Sequence, residues 1–183
     1  MGIAVIYGSS RHDGNSEQLA KRLVEGFHAD HIHLADYRIE PITDYRHSEK
    51  QPYPDDDYHQ VLERLLVQDI LVFATPIYWY GPSGLTKTFI DRWSQSLREN
   101  KEEFLSKLSV KSAWVIGVGD DQPHLKGIPL VQQFQYIFEY TGTTYAGYIL
   151  GKGNKPGDIL EDASALAAVD AIRGQWHSSG QYT

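Results

Sequence analysis

One feature constrains this chain above all others. Short, β-branched and almost purely apolar runs alternate along it with segments whose apolar residues recur at helical spacing. Ile3 to Tyr7 is such a run, and Ile70 to Ala74, Ala113 to Val118 and Tyr145 to Leu150 are others. A strand that is apolar at successive positions has both faces covered, which is the condition of a parallel sheet packed between helices. Leu19, Leu23 and Phe27, with Ala20 and Val24 beside them, predict a helix over Ser16 to Phe27. His31 to Leu34 is read as a short second strand. Val61, Leu62, Leu65 and Leu66 mark a second helix, for which Asp55, Asp56 and Asp57 are expected to serve as amino-terminal caps. Thr75-Pro76 is expected to stop the third strand, and Ser83 to open a helix carrying Leu85, Phe89 and Trp93 on one face. Helices over Ile128 to Tyr140 and Ile159 to Trp176 complete the pattern. Five strands interleaved with helices predict one doubly wound α/β layer structure.

At 183 residues the chain is expected to form one domain, burying about 70% of its unfolded surface. Only the tail from His177 to Thr183 is expected to be loose. The absence of cysteine excludes disulfides, thiolate zinc sites, cysteine-held iron–sulfur clusters and cysteine nucleophiles. A net charge of −7 argues against broad nucleic-acid binding, although backbone N–H groups bind phosphate whatever the overall sign. No apolar stretch is long enough for a membrane span and no basic leader precedes Ile3, so a cytoplasmic protein is expected.

In an open parallel sheet, ligands sit beyond the carboxyl ends of the strands, where the strand order reverses. The residues after each strand therefore carry the functional information. After the first come Gly8-Ser9-Ser10-Arg11-His12-Asp13-Gly14-Asn15-Ser16, running straight into a helix. Glycines, hydroxyls, one arginine and a helix amino terminus are what a phosphate monoester requires. Taken singly, each residue equally suits a solvated turn with a routine Asn15 or Ser16 cap; their place after a buried strand favours the anion. The pattern is neither a Walker A loop nor the G-x-G-x-x-G fingerprint. After the third strand come Pro76-Ile77-Tyr78-Trp79-Tyr80-Gly81-Pro82. Three consecutive aromatics between prolines cannot all enter a core, so at least one is expected to stand as a flat apolar wall, the others packing beneath the next helix. Together the two loops describe a phosphorylated, flat-ringed ligand, and FMN fits both halves.

These two loops resemble those of the NAD(P)H-dependent FMN reductases and related quinone and azo-dye flavoproteins. The resemblance implies a flavodoxin-like three-layer sandwich with a parallel sheet of order 2-1-3-4-5. It implies phosphate contacts from Ser9, Arg11, Asn15 and Ser16, and flavin contacts from Pro76, Ile77, Tyr78 and Trp79. Gly119 and Asp120, after the fourth strand, fall where the family closes over the flavin. The implied activity passes hydride from NADPH or NADH to bound FMN and then electrons to a quinone, flavin, azo compound or similar acceptor. The flavin carries that chemistry, so no catalytic side chain is expected. Family members often pair, and a homodimer is the expectation. Iron–sulfur members carry cysteines in the stretch equivalent to Ala35 to Pro54, where this chain has none.

Other constellations are weaker. His28, His31 and His33 with Asp30 are close in sequence, but spacing fixes no third ligand, and exposed edge-strand residues are the simpler reading, so no metal is expected. Gly81-Pro82-Ser83-Gly84 is not a serine-hydrolase elbow. Lys87, Asp91 and Arg92 read as surface ions, the first two paired at i,i+4. Gly151 to Gly157, with two lysines, reads as a flexible connector. A flavodoxin-type electron carrier without nicotinamide turnover is the alternative function, and a flavin-free partner-binding protein or sensor a third.

Overall fold

The computed structural model describes residues 2–45 and 52–179. Its strands are β1 (Ile3–Tyr7), β2 (Ala29–His33), β3 (Ile70–Pro76), β4 (Ser112–Gly119) and β5 (Thr144–Lys152). They form one sheet in the order β2-β1-β3-β4-β5, and every pairing is parallel. The helices are α1 (Asn15–Leu23), α2 (Tyr58–Leu66), α3 (Gly84–Asp91), α4 (Trp93–Ser109), α5 (Pro123–Lys126), α6 (Ile128–Thr141) and α7 (Ala163–Ser179).

The apolar runs are continuous because each strand feeds two cores. Ile3, Val5, Tyr7, Ile70, Val72 and Ala74 face α1 and α7. Ala4, Ile6, Leu71 and Phe73 face the other way, toward α2, α3, α4 and α6. Phe73 is fully buried and meets Trp93, Phe134 and Phe138 at ring-centroid distances of 6.3, 5.4 and 5.8 Å. Each such side chain contributes about 1.5–3 kcal/mol by leaving water.

Several local expectations give way to tertiary partners. β2 spans Ala29–His33, and Leu34 opens a short 3-10 turn instead of ending the strand. β3 continues through Thr75 and Pro76, which pair with Gly117 and Val118. The missing N–H of Pro76 faces the side from which β1 has already departed, so the ladder loses no bond there. The helix opened by Ser83 is followed directly by a second one, α4, which is kinked at Asn100 (φ −155°). There the Asn100 Oδ1 accepts from the Glu103 N–H at 3.3 Å and starts the helix afresh. The last helix begins at Ala163, not Ile159, because Asp162 accepts the Ala165 N–H at 3.0 Å and Ile159 lies in a preceding 3-10 turn. His177, assigned to a loose tail, is helical and stacks on Phe27 at 4.3 Å; residues 180–183 lie outside the described part.

The largest correction concerns the three aspartates and Arg92. The α2 amino terminus receives no side-chain cap from Asp57, whose carboxylate instead accepts the Arg38 N–H at 2.7 Å. Asp56 and Arg92 are an ion pair at 2.5 Å with side chains 1% and 0% exposed. Asp56 also accepts backbone N–H bonds from Glu40 (2.9 Å) and Tyr58 (3.1 Å), while Arg92 donates to the Glu40 carbonyl and to Gln95. Arg92 is therefore the post to which Glu40 and Asp56 are both fastened, not a surface ion. Its guanidinium also lies over the Tyr58 ring, 4.7 Å from the centroid.

Burial by itself would raise the Asp56 pKa, but the Arg92 bonds and the two backbone N–H groups outweigh it and hold the carboxyl below its ordinary value. A depressed carboxyl contributes stability above the unfolded-state pKa, about 3.9, and loses it as pH falls through the folded value. Asp56→Ala leaves an unpaired buried guanidinium and is expected to cost about 3–5 kcal/mol at neutral pH, read from urea unfolding. The deficit relative to the parent shrinks as pH falls below about 4, where protonation breaks the pair in the parent as well.

Candidate functional site

β1 and β3 are adjacent in space but distant in sequence; β1 ends with Tyr7 opposite Ala74, and β3 runs two residues further, along β4. The Gly8 N–H donates to the Ala74 carbonyl at 2.8 Å, so the two departing loops begin side by side. Ser83 locks them: its hydroxyl donates to the Gly8 carbonyl at 2.5 Å and accepts the Thr86 N–H at 3.2 Å, while its own N–H donates to Thr75 Oγ1 at 3.0 Å. The cap at Ser83 is thus also the clamp between the first and third loops. A side chain at position 8 has no room, since its Cβ would fall 1.8 Å from Thr86 Oγ1.

Between the loops lies a recess of about 210 Å³ lined by Ser9, Arg11, Gly14, Asn15, Ser16, Pro76, Ile77, Tyr78, Val118, Gly119, Asp120, Gly153 and Asn154. Nine of the ten sequence-selected residues converge there. The tenth, Trp79, lines an adjoining hollow of about 150 Å³ that shares Ile77, Gly119 and Asp120 with the first. A larger groove, about 650 Å³, runs along α1 and the flank of β2 and contains none of them. The smaller recess is the stronger candidate because it sits at the strand-order reversal and gathers the donors.

At one end of the recess α1 presents its first turn. Its cap residue is Gly14, which has no side chain to accept the N–H groups of that turn, and they remain available to an anion. Arg11 is exposed and, among the described residues, has no carboxylate partner. Ser9 holds the loop's shape, its hydroxyl accepting the Arg11 N–H at 3.1 Å. Ser16 is 3% exposed. Asn15 lines the recess but spends both ends of its amide on the far wall. It donates to the Lys155 carbonyl at 2.9 Å and accepts from Gly157 N at 3.0 Å and Ile159 N at 3.4 Å. Asn15 thus also acts as a brace.

That far wall is the 151–157 segment, read from sequence as a loose connector. Gly151 and Lys152 are the last residues of β5, paired with Val118 and Gly119, and the rest is a hydrogen-bonded loop: Asp158 accepts the N–H groups of Asn154 and Lys155 at 3.0 and 2.8 Å, and Asn154 donates to Asp120 at 3.1 Å. Four lining residues were not selected from sequence: Gly14 and Val118, which adjoin selected ones, and Gly153 and Asn154, which do not. A Cβ on Gly153 would press within 2.7 Å of Asn15 Nδ2, so the glycine there was a usable signal. At the other end Ile77 forms the apolar floor, with Gly117, Gly119 and Gly127 so close that a Cβ on any of them would meet it at 3.1–3.3 Å.

Tyr78, Trp79 and Tyr80 all stand out from the core, 51%, 93% and 43% exposed. Two reciprocal bonds between Tyr78 and Gly81, at 3.0 and 3.1 Å, close them into a tight turn. Both central residues are left-handed, Trp79 at φ +50° and Tyr80 at φ +67°, in positions that Asn-Gly ordinarily fills. The remaining left-handed non-glycine residues among those described, Asp13 and Gln122, lie in the loops after β1 and β4. Backbone strain is gathered around the recess.

The model of the family described as NADPH-dependent FMN reductase matches residues 1–127. A relative from Bacillus subtilis (strain 168) is 52% identical over 174 residues, covering 94% of this chain and 96% of its own length. It carries the provisional name NAD(P)H-dependent FMN-containing oxidoreductase YwqN. Among solved structures, the Trp repressor binding protein of Bacillus subtilis is 47% identical, covers 93% of this chain and 96% of that one, and superposes with a TM-score of 0.79. An FMN-dependent NADH-azoreductase from Bacillus anthracis, in complex with FMN, has a TM-score of 0.68 over 96% of this chain and 99% of that one. At 11% identity it shows likeness of fold.

A left-handed residue other than glycine costs about 1–2 kcal/mol. The double variant Trp79→Asn, Tyr80→Gly is therefore expected to unfold at a higher urea concentration than the parent, by roughly 1–2 kcal/mol. An unchanged or lower midpoint would show that the turn carries no strain.

Proposed function

The chain belongs to the NADPH-dependent FMN reductase family, and from that membership we propose that its recess holds FMN for the reduction of a flat conjugated acceptor by NAD(P)H. The observation that carries this reading is the pairing of two unlike ends in one recess. The free N–H groups of α1, with Arg11, Ser9 and Ser16, suit a phosphate dianion, while Ile77, Pro76 and Tyr78 suit a planar ring. Asp120 and Asn154, between them, offer an acceptor and a donor to the polyol that joins those parts.

Bound FMN supplies hydride acceptance from a nicotinamide and release of electrons to an acceptor. The chain's contribution is placement. The loop after β1 fixes the phosphate, and with it the register of the cofactor. Ile77, with Gly117, Gly119 and Gly127 packed closely against it, would back one face of the ring. The Tyr78 to Tyr80 turn sets exposed aromatic faces beside the recess, where a nicotinamide, quinone or azo compound can stack. No acid or base is needed from the protein, in keeping with a lining whose only side chains that carry charge at neutral pH are Arg11 and Asp120.

The same turn supports pairing with a second copy. It lies beside α6, with Gly81 close to Gln133, and α6 exposes Tyr136 and Tyr140 by 66% and 64%. An electron carrier would instead offer an acidic docking surface. The cluster Asp55 to Asp57 is not such a surface, since Asp56 is buried on Arg92 and Asp57 is bonded to the Arg38 backbone. Among the described residues, no helix is long and apolar enough to cross a membrane.

The purified protein is expected to bind one FMN per chain and, with it, to consume NADPH or NADH continuously when supplied with a quinone or free flavin. A yellow protein that never oxidises NAD(P)H would be a carrier. Arg11→Ala is expected to weaken FMN binding by about 1.5–3 kcal/mol in a fluorescence titration, through loss of one charge-assisted bond. Unchanged flavin affinity would remove the phosphate from this loop.

A further inference from the structure

The loop after β1 has a second face that the recess does not use. There His12 from the loop, Glu17 from the first turn of α1 and His33 from the end of β2 bring one ligand atom each within 4.8 Å of one another. Glu17 is 1% exposed, and its Oε2 lies 3.7 Å from His33 Nδ1. The two imidazoles stand 4.4 Å apart, and the His33 ring is held flat against Tyr7 at 4.4 Å. Asp36 contacts His12 Nε2 at 3.0 Å, where it orients that ring.

We propose that His12, Glu17 and His33 form a binding site for a borderline transition-metal dication, with zinc as its representative. Two imidazoles and one carboxylate select such ions over magnesium or calcium, which take oxygen ligands. Zinc bonds of about 2.0–2.2 Å require ligand atoms closer together than 4.8 Å, and rotation of His12, more than half exposed, closes the difference. The charge balance suits a dication. Glu17, Asp13 and Asp36 surround the site with three carboxylates, against one ammonium, Lys21, which is bonded to Glu17 Oε1 at 2.8 Å and Asp13 at 2.9 Å. Glu17 Oε2 now accepts the Asp13 N–H at 2.9 Å, and the ion takes over that oxygen. With three protein ligands the site keeps a position open for water.

Of the residues whose closeness in sequence suggested a chelate, His33 alone belongs to this site. Asp30 is paired with Arg64, and His31 is hydrogen-bonded to Tyr7 at 2.6 Å, so neither joins His33 at the site. None of His12, Glu17 and His33 lines the recess, so the site is tested without reference to flavin.

The test uses full-length, tag-free protein stripped with a chelator and free of FMN. Zinc is titrated against a chromogenic chelator, with unfolding temperature as a second readout. One zinc per chain and a raised unfolding temperature are expected, with no response to magnesium. His12→Ala and His33→Ala should each weaken retention by roughly tenfold or more, and His28→Ala and His124→Ala should leave it unchanged. His12 is exposed, so its variant tests the site without threatening the fold. Failure to hold zinc against the chelator, or retention untouched by both variants, overturns the proposal.

Discussion

Everything built at the top of this sheet depends on the closeness of β1 and β3. Two strands separated by more than sixty residues in sequence are paired up to the last residue of β1, and the segments that follow start side by side. The bond from Gly8 to Ala74 and the Ser83 hydroxyl on the Gly8 carbonyl hold the loops at a separation only glycine permits. Without that contact the α1 amino terminus and the Pro76 to Tyr78 wall would open to different regions of solvent. Each half of the recess is ordinary; their juxtaposition is what gives it chemistry.

The strain of the site rests on the buried layers beneath it. Asp13, Trp79, Tyr80 and Gln122 adopt left-handed backbone at about 1–2 kcal/mol each, a cost comparable to burying two or three large apolar side chains. The two cores, with more than thirty buried apolar residues, cover that many times over before conformational entropy is counted. The Arg92–Asp56 pair does something the apolar core cannot. It ties Glu40 and Asp56, which lie outside the helices and strands, to a fixed point on the helical layer. Such a pair adds little net stability over an apolar replacement, but removing one partner is severe, so it acts as a fastener more than as a source of stability.

The fold was legible because its signal is local and redundant. Ile3 to Tyr7 and Ile70 to Ala74 are apolar on both faces, and only a doubly covered parallel sheet accommodates that. The recess was legible for a related reason: in such a sheet, function follows the strand ends, and Ser9 to Ser16 and Pro76 to Trp79 follow two adjacent ones. What escaped was whatever depends on a distant partner. Arg92 looks like any helical arginine until Asp56, thirty-six positions earlier, is folded against it. The 151–157 loop looks loose because its order comes from Asn15 and Asp158, not from its own glycines and lysines. The kink at Asn100 was visible in principle, as an Asn followed three residues later by Glu, but the polar stretch around it lacked the apolar periodicity that would have marked α4.

The loop after β1 illustrates how a short segment can serve two faces. Ser9 and Arg11 line the recess, while His12 turns outward to His33 and Asp36. Asn15 and Ser16 face inward from the first helical turn, and Glu17, next in line, faces outward. The segment is stiffened between them, since the left-handed Asp13 is bonded through its N–H to Glu17 and through its carboxylate to Lys21. An ion that draws His12 and Glu17 together therefore acts on the backbone whose other side presents Arg11 and the free N–H groups. If the recess holds a phosphate and the cluster an ion, as proposed, ordering that the ion imposes on that backbone is ordering the phosphate need not impose, and by linkage each would alter the other's affinity by the same factor.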